Sequence, residues 1–208
     1  VLHVREMMPD RAPNRIYMRW ACSRAAKVIA VSNAVKNKLI AAGADADKII
    51  VHYNGIEPVS VTDEKRHALR VEFGAADDTP LVGIVGTVTE LKGQHVLLSA
   101  VKLLKDKFPK MRAVVVGGPQ TDSVEYMEGL RAFTEREELS CNIVFAGRRD
   151  DARECMAAFD VYVQASVRDD SLPRTVIEAM AVGTPVAGSR IGGIPEMVAD
   201  GKTGFVVT

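Results

Sequence analysis

From residue 80 onward, short apolar runs alternate with helix-patterned stretches, and this alternation constrains the fold more than any other feature of the chain. The runs are Leu81 to Val85 (LVGIV), Arg112 to Val116 (RAVVV), Asn142 to Phe145 (NIVF), Asp160 to Val163 (DVYV), Pro185 to Gly188 (PVAG) and Gly204 to Val207 (GFVV). Such short, almost wholly apolar runs suit strands buried on both faces. Between them, Gln94 to Phe108 sets Leu97, Val101, Leu104 and Phe108 on one helical face, and Glu125 to Leu139 and Asp151 to Phe159 are patterned alike. Strands joined by crossovers this short form right-handed βαβ units. The expected fold class is therefore α/β, a Rossmann-like parallel sheet with helices on both faces. Ligands of such sheets bind beyond the carboxyl ends of the strands, so the loops after these runs are the place to look for chemistry.

Residues 1–57 read differently. Ala25 to Val31 is a short apolar run, after which Ser32 caps a helix carrying Val35, Leu39 and Ala42 on one face and ending at Gly43. A second run, Lys48 to Tyr53, stops at the turn dipeptide Asn54-Gly55. The stretch 58–79 mixes charges with small polar residues and is placed as a linker.

Charge balance excludes several partners. With 27 Lys+Arg against 27 Asp+Glu the chain has no net charge, and no basic block stands out, so neither a nucleic-acid binder nor a polybasic membrane anchor is expected. The three cysteines, Cys22, Cys141 and Cys155, form no C-x-x-C pair, which argues against a zinc site or disulfide framework and for small buried residues in a reducing compartment. No uncharged apolar run reaches the roughly 18 residues that would span a bilayer. The first residues carry Arg5, Glu6, Asp10, Arg11, Arg15 and Arg19, unlike a secretory signal. The chain starts at Val1 without an initiator Met, as a fragment would.

The loop after the first strand of the alternating region runs Gly86-Thr87-Val88-Thr89-Glu90-Leu91-Lys92-Gly93 into a helix. A Lys there can reach an anion held by first-turn amides, and equally fits a solvated surface lysine; the P-loop pattern is absent. The next strands end in Gly117-Gly118-Pro119 and Gly147-Arg148-Arg149, turns whose Arg148 is able to face a nucleotide. More informative is Asp170-Ser171-Leu172-Pro173-Arg174-Thr175-Val176-Ile177-Glu178. Ser171 or Asp170 can cap a helix with Pro173 in its first turn, which sets Asp170 and Glu178 about 12 Å apart at 1.5 Å per residue. Free amides and Arg174 between them make a seat for a diphosphate, with each carboxylate free to bind hydroxyls on one side. A capping Asp and an exposed helix Glu are the plainer reading of the same spacing. Arg190-Ile191-Gly192-Gly193-Ile194-Pro195-Glu196 then opens another helix with a Gly-rich loop.

In order, KVIAVSNAVKNKL, KIIVHYNGIEP, VGTVTELKG, VVVGGP, IVFAGRRDD, FDVYVQAS and DDSLPRTVIEAMAVGTPVAGSRIGGIPEMVADGKTGFVV resemble the retaining family 4 (group 1) glycosyltransferases of the GT-B fold. The resemblance covers nearly the whole chain and is most specific from Phe159 to Val207. It implies that residues 1–57 are the end of an amino-terminal, acceptor-binding Rossmann-like domain. Residues 80–208 would be the nucleotide-sugar-binding domain, truncated at its carboxy end. The implied activity is transfer of a hexosyl group from a nucleoside-diphosphate sugar to a hydroxyl acceptor, held mainly by the missing amino-terminal portion. Lys92 would meet phosphate, Glu178 the ribose hydroxyls and Asp170 the transferred sugar. Gly86, Thr87, Gly118, Arg148, Ser171, Leu172, Pro173, Arg174 and Thr175 would line the donor site, with Pro173 lacking an N–H to donate. The family needs neither metal nor cofactor, and the near match Asp45-Ala46-Asp47 to a metal motif fits a turn cap better. The expected location is the cytoplasm, including the inner membrane face if the missing half associates peripherally. Two positions depart from the family pattern: Thr87 stands where an Arg is usual and Asp170 where a Glu is usual. A nucleotide-sugar epimerase of the same fold and a non-catalytic nucleotide-sugar-binding module remain alternatives.

Overall fold

The computed structural model describes residues 1–8 and 11–208. Two parallel sheets are present among the described residues. The smaller orders β1 (Leu2–Val4), β2 (Val28–Ala30) and β3 (Ile49–Val51) side by side, with helices α1 (Ala12–Arg24) and α2 (Asn33–Ala41) in the connections. Ser32 caps α2 as its sequence implies, its hydroxyl accepting from the Val35 amide at 3.2 Å. Asp45 caps a short turn through the Asp47 amide, so the Asp45-Ala46-Asp47 triplet serves the backbone.

The larger sheet contains β4 (Leu81–Val85), β5 (Arg112–Val116), β6 (Ile143–Gly147), β7 (Val161–Gln164), β8 (Val186–Ser189) and β9 (Gly204–Val207), all parallel, in the order β6-β5-β4-β7-β8-β9. Helices α4 (Gln94–Leu104) and α5 (Val124–Arg136) cover one face around Leu97, Leu98, Val101 and Leu130. Helices α3 (Asp63–Glu72), α6 (Ala152–Ala158), α7 (Arg174–Ala181) and α8 (Ile194–Met197) lie on the side of a second core around Leu69, Phe73, Met156, Phe159 and Val176. The strand order reverses between β4 and β7, and that switch point fixes where the carboxyl-end loops of two halves converge.

Three expectations need correction. The stretch 58–79 holds helix α3, capped by Thr62, and that helix belongs to the larger unit. Its Arg70 is only 6% exposed and donates to the carbonyls of Ala158, Ala76 and Thr79 and to the Asp160 carboxylate. Asp160 in turn accepts from the Leu81 amide at 2.7 Å, so one buried guanidinium ties α3 to the starts of β4 and β7. Helix α7 begins at Arg174 with Pro173 at its N-cap and no side-chain cap, because Asp170 and Ser171 are engaged elsewhere. Cys22 and Cys155 are buried, whereas Cys141 is exposed in the turn before β6.

An ionic cluster closes the α3 side. Arg149 bonds both carboxylates Glu72 and Asp151, and Lys65 reaches Asp151 at 2.9 Å. Hydrogen bonds from Arg149, then from Lys65, hold the Asp151 carboxyl well below the usual carboxylate range. Burial pushes the neighbouring Cys155 thiol up to about 12, which leaves it inert as a nucleophile. A lowered folded-state pKa contributes stability that is complete above the unfolded value near ~3.9 and is lost as pH falls through and below it. The gap between the thermal midpoints of wild type and Asp151→Asn should therefore be full at pH 7, begin to narrow below about pH 5 and go on narrowing below about pH 3. Parallel curves across that range would remove Asp151 from the acid sensitivity.

One carboxylate joins the two units at several points. Glu196 on α8 accepts from the Asn33 and Ala34 amides, both at 2.7 Å, and from the Tyr53 hydroxyl at 2.9 Å. These amides are unsatisfied donors of the first turn of α2, where a negative charge is favoured. Ser171 adds a bond to the Arg5 carbonyl, Lys38 pairs with Asp169, and Leu172 packs with Val35 and Leu39.

Candidate functional site

At the switch point, the loop after β4 and the loop after β7 bring Lys92 and Asp170 together. Lys92 Nζ lies 2.6 Å from Asp170 Oδ2, with the two side chains 27% and 11% exposed. Gly93 makes this approach feasible. It is left-handed at φ 70°, and a Cβ there would stand 1.8 Å from the Ala165 carbonyl oxygen of the β7 loop. Ser166 Oγ donates to the same Asp170 oxygen at 3.1 Å. Gly193 donates its amide to the Asp170 carbonyl at 2.9 Å, so the Gly-rich loop before α8 holds the backbone of the same residue.

Glu178, one helical turn past Arg174 on α7, is 14% exposed and lies 3.4 Å from Arg153 and 3.6 Å from Arg174. It is thus a partly buried, cation-flanked carboxylate rather than an exposed helix residue. Thr175 turns its hydroxyl inward to Gln164 at 3.0 Å. Ser171 and Leu172 face the smaller unit with their side chains, leaving their backbone as what they can offer a ligand.

Gly86, Thr87, Gly118 and Arg148 line one cavity of about 370 Å³, together with Gly117, Arg149 and Asp150. Lys92, Asp170 and Glu178 are not among its lining residues. Most of the expected site residues therefore fall into three groups, the glycine-lined cavity, the Lys92–Asp170 pair and the Glu178 cation cluster with Arg174, while Ser171, Leu172, Pro173 and Thr175 lie on the loop and first turn of α7 between Asp170 and Glu178. Arg153 was not anticipated from sequence, since nothing in the α6 pattern marks it apart from other surface arginines. Gln164 and Ser166 were also missed, although polar residues at alternate positions of an apolar strand are a signal. Burial keeps the Tyr162 phenol, beside them, protonated far above its ordinary range. Among the described residues no cluster of His, Cys, Asp or Glu is arranged to hold a metal ion, and no helix is long and apolar enough to cross a membrane.

Comparison with known proteins adds the following. The family model described as glycosyl transferases group 1 matches residues 65–208, and that of glycosyltransferase family 4 matches residues 2–59. A D-inositol 3-phosphate glycosyltransferase of Corynebacterium urealyticum is 32% identical over 180 residues, covering 85% of this chain and 40% of the relative. One of Streptomyces scabiei is 33% identical over 171 residues, covering 79% and 38%. The chain thus spans about two-fifths of the length of these curated relatives. Among solved structures, Anabaena Alr3699/HepE in complex with UDP and glucose is similar with a TM-score of 0.89 at 28% identity, covering 100% of this chain and 57% of that one. WaaG, a glycosyltransferase involved in lipopolysaccharide biosynthesis, shares the fold with a TM-score of 0.75 at 20% identity, covering 86% and 48%.

Proposed function

The chain belongs to the group 1 glycosyl transferases, and from that premise we propose that it binds a nucleoside-diphosphate sugar and supplies the donor half of a retaining hexosyltransferase. Residues 80–208 with α3 form the donor unit in this reading, and residues 1–57 close the unit that holds a hydroxyl acceptor. The observation that carries it is the Lys92–Asp170 pair bridging the switch point of a Rossmann-ordered sheet. A cation and a carboxylate at the carboxyl ends of both half-sheets suit a ligand that carries a diphosphate next to a polyol. UDP and UDP-glucose, present in the complexes of the HepE relative, are the natural probes.

Lys92, with Arg174, would offset the charge that develops on the departing nucleoside diphosphate, and the backbone amides of the first turn of α7 would add fixed dipoles. The acceptor hydroxyl would attack the anomeric carbon from the face the diphosphate leaves, which preserves the configuration. Asp170 would hold the transferred sugar and Glu178 the ribose. No residue role in this scheme requires a metal ion.

The division of labour has a direct test. Asp170→Asn should keep or tighten UDP binding, because Lys92 loses its competing carboxylate, and should weaken binding of UDP-glucose. Glu178→Gln should weaken both ligands alike. Titrating the two variants with the two ligands gives four affinities. Equal shifts for both ligands in both variants, or none in either, would sink the assignment of these carboxylates.

A further inference from the structure

Asp170 stands at the end of a buried hydrogen-bond chain that none of the preceding roles uses. Tyr162 and Gln164 lie on one face of β7, and Ser166 follows just beyond it. Tyr162 is fully buried, and Gln164 and Ser166 are each 1% exposed. Gln164 Oε1 accepts from the Tyr162 hydroxyl at 2.7 Å and from the Thr175 hydroxyl at 3.0 Å. Gln164 Nε2 donates to Ser166 Oγ at 2.8 Å, and Ser166 Oγ donates to Asp170 Oδ2 at 3.1 Å.

The direction of this chain follows from its end. An ionised carboxylate only accepts, so Ser166 must give its proton to Asp170 and take a hydrogen bond from the Gln164 amide nitrogen. That leaves the amide oxygen for the two hydroxyls, and every donor in the line points toward Asp170. The carboxylate therefore meets two donors at one oxygen, Ser166 and Lys92, and its other oxygen is left for a ligand hydroxyl. An apolar β7 end would pack the sheet with no buried polar groups to satisfy, and burying a chain of four such groups is costly unless each is bonded.

We propose that Gln164 and Ser166 are positioning residues for the donor site. Through the line from Tyr162 and Thr175 they fix the Asp170 carboxylate in the orientation that receives the sugar of a nucleotide sugar. The inference rests on the reading of Asp170 as the sugar-binding carboxylate. Thr175, on the first turn of α7, links that orientation to the helix whose amides would face the diphosphate.

The test is a binding cycle on the 208-residue chain with UDP and UDP-glucose as probes, alongside thermal midpoints. Ser166→Ala should weaken UDP-glucose by about tenfold, the low end for a hydrogen bond to a charged group, and leave UDP within about twofold. Ser166→Thr, which keeps the hydroxyl, should restore the ligand selectivity. Gln164→Leu, one link earlier, should shift the same ligand in the same direction. In an Asp170→Asn background, Ser166→Ala should add nothing to the loss of UDP-glucose, because its effect runs through that carboxylate. If Asp170→Asn separates the two ligands but Ser166→Ala does not, or if the two losses simply add, the positioning role is overturned and the chain is a structural network only. If Asp170→Asn itself fails to separate them, the reading of Asp170 falls and takes this inference with it.

Discussion

Lys92→Ala is expected to weaken binding of a nucleoside diphosphate far more than that of the nucleoside, and to lower kcat about 10²-fold where transfer is assayed. The loss has two parts. The cation that would meet phosphate charge is gone, and with Thr87 in the position where the family usually carries an Arg, no replacement stands after Gly86. In addition, Asp170, 11% exposed beside Lys92, loses its ion-pair partner, so an unbalanced carboxylate would be left beside the proposed diphosphate seat. A titration with UDP and uridine separates this from a general loss of structure, since uridine binding should barely change. Equal affinity of wild type and variant for UDP would mark Lys92 as a solvated lysine whose contact with Asp170 is incidental.

The largest effect on stability is expected at Arg70. Arg70→Met keeps much of the side-chain volume but leaves the buried Thr79 and Ala158 carbonyls without their donor, while the half-exposed Asp160 carboxylate keeps the Leu81 amide and its water. Leaving a buried carbonyl unsatisfied costs about 1–3 kcal/mol, and two are left here. For a chain of this size that lowers the thermal midpoint by on the order of 10 °C, at about 2–4 °C per kcal/mol. A calorimetric scan in which Arg70→Met melts within about 2 °C of wild type would show that α3 is held by Leu69 and Phe73 alone.

These two residues also show what could be inferred before the fold was known. The strands of the larger sheet fall within a residue or two of the apolar runs, because burial on both faces leaves a continuous signature that needs no distant partner. Helix α3 left none: its residues are mostly charged, and its anchor is an arginine whose acceptors lie as far as Asp160, 90 positions away. The Lys92 and Asp170 loops were each marked by their place after a strand, yet their pairing across 78 positions depends on β4 and β7 being neighbours. Capping of α7 by Ser171 or Asp170 was a reasonable local expectation that tertiary contacts override, since both side chains find partners outside the helix. In sequence Glu196 reads only as part of a Gly-rich loop, because the amides it binds belong to a helix at the other end of the chain.

That last contact bears on how such chains can be recombined. Exchanging residues 1–57 between relatives looks, from the strand pattern, like swapping a self-contained block at a seam. Glu196 makes the seam reciprocal: the block must bring a helix start shaped like Ser32-Asn33-Ala34 and a hydroxyl at the place of Tyr53, or the carboxylate is stranded among groups that do not want it. Because Gly193, three residues earlier, grips the Asp170 carbonyl, a mismatched graft would be felt at the Asp170 loop and not only at the join. Chimeras in this architecture should therefore be cut so that the Arg190–Met197 stretch travels with the amino-terminal block it fits.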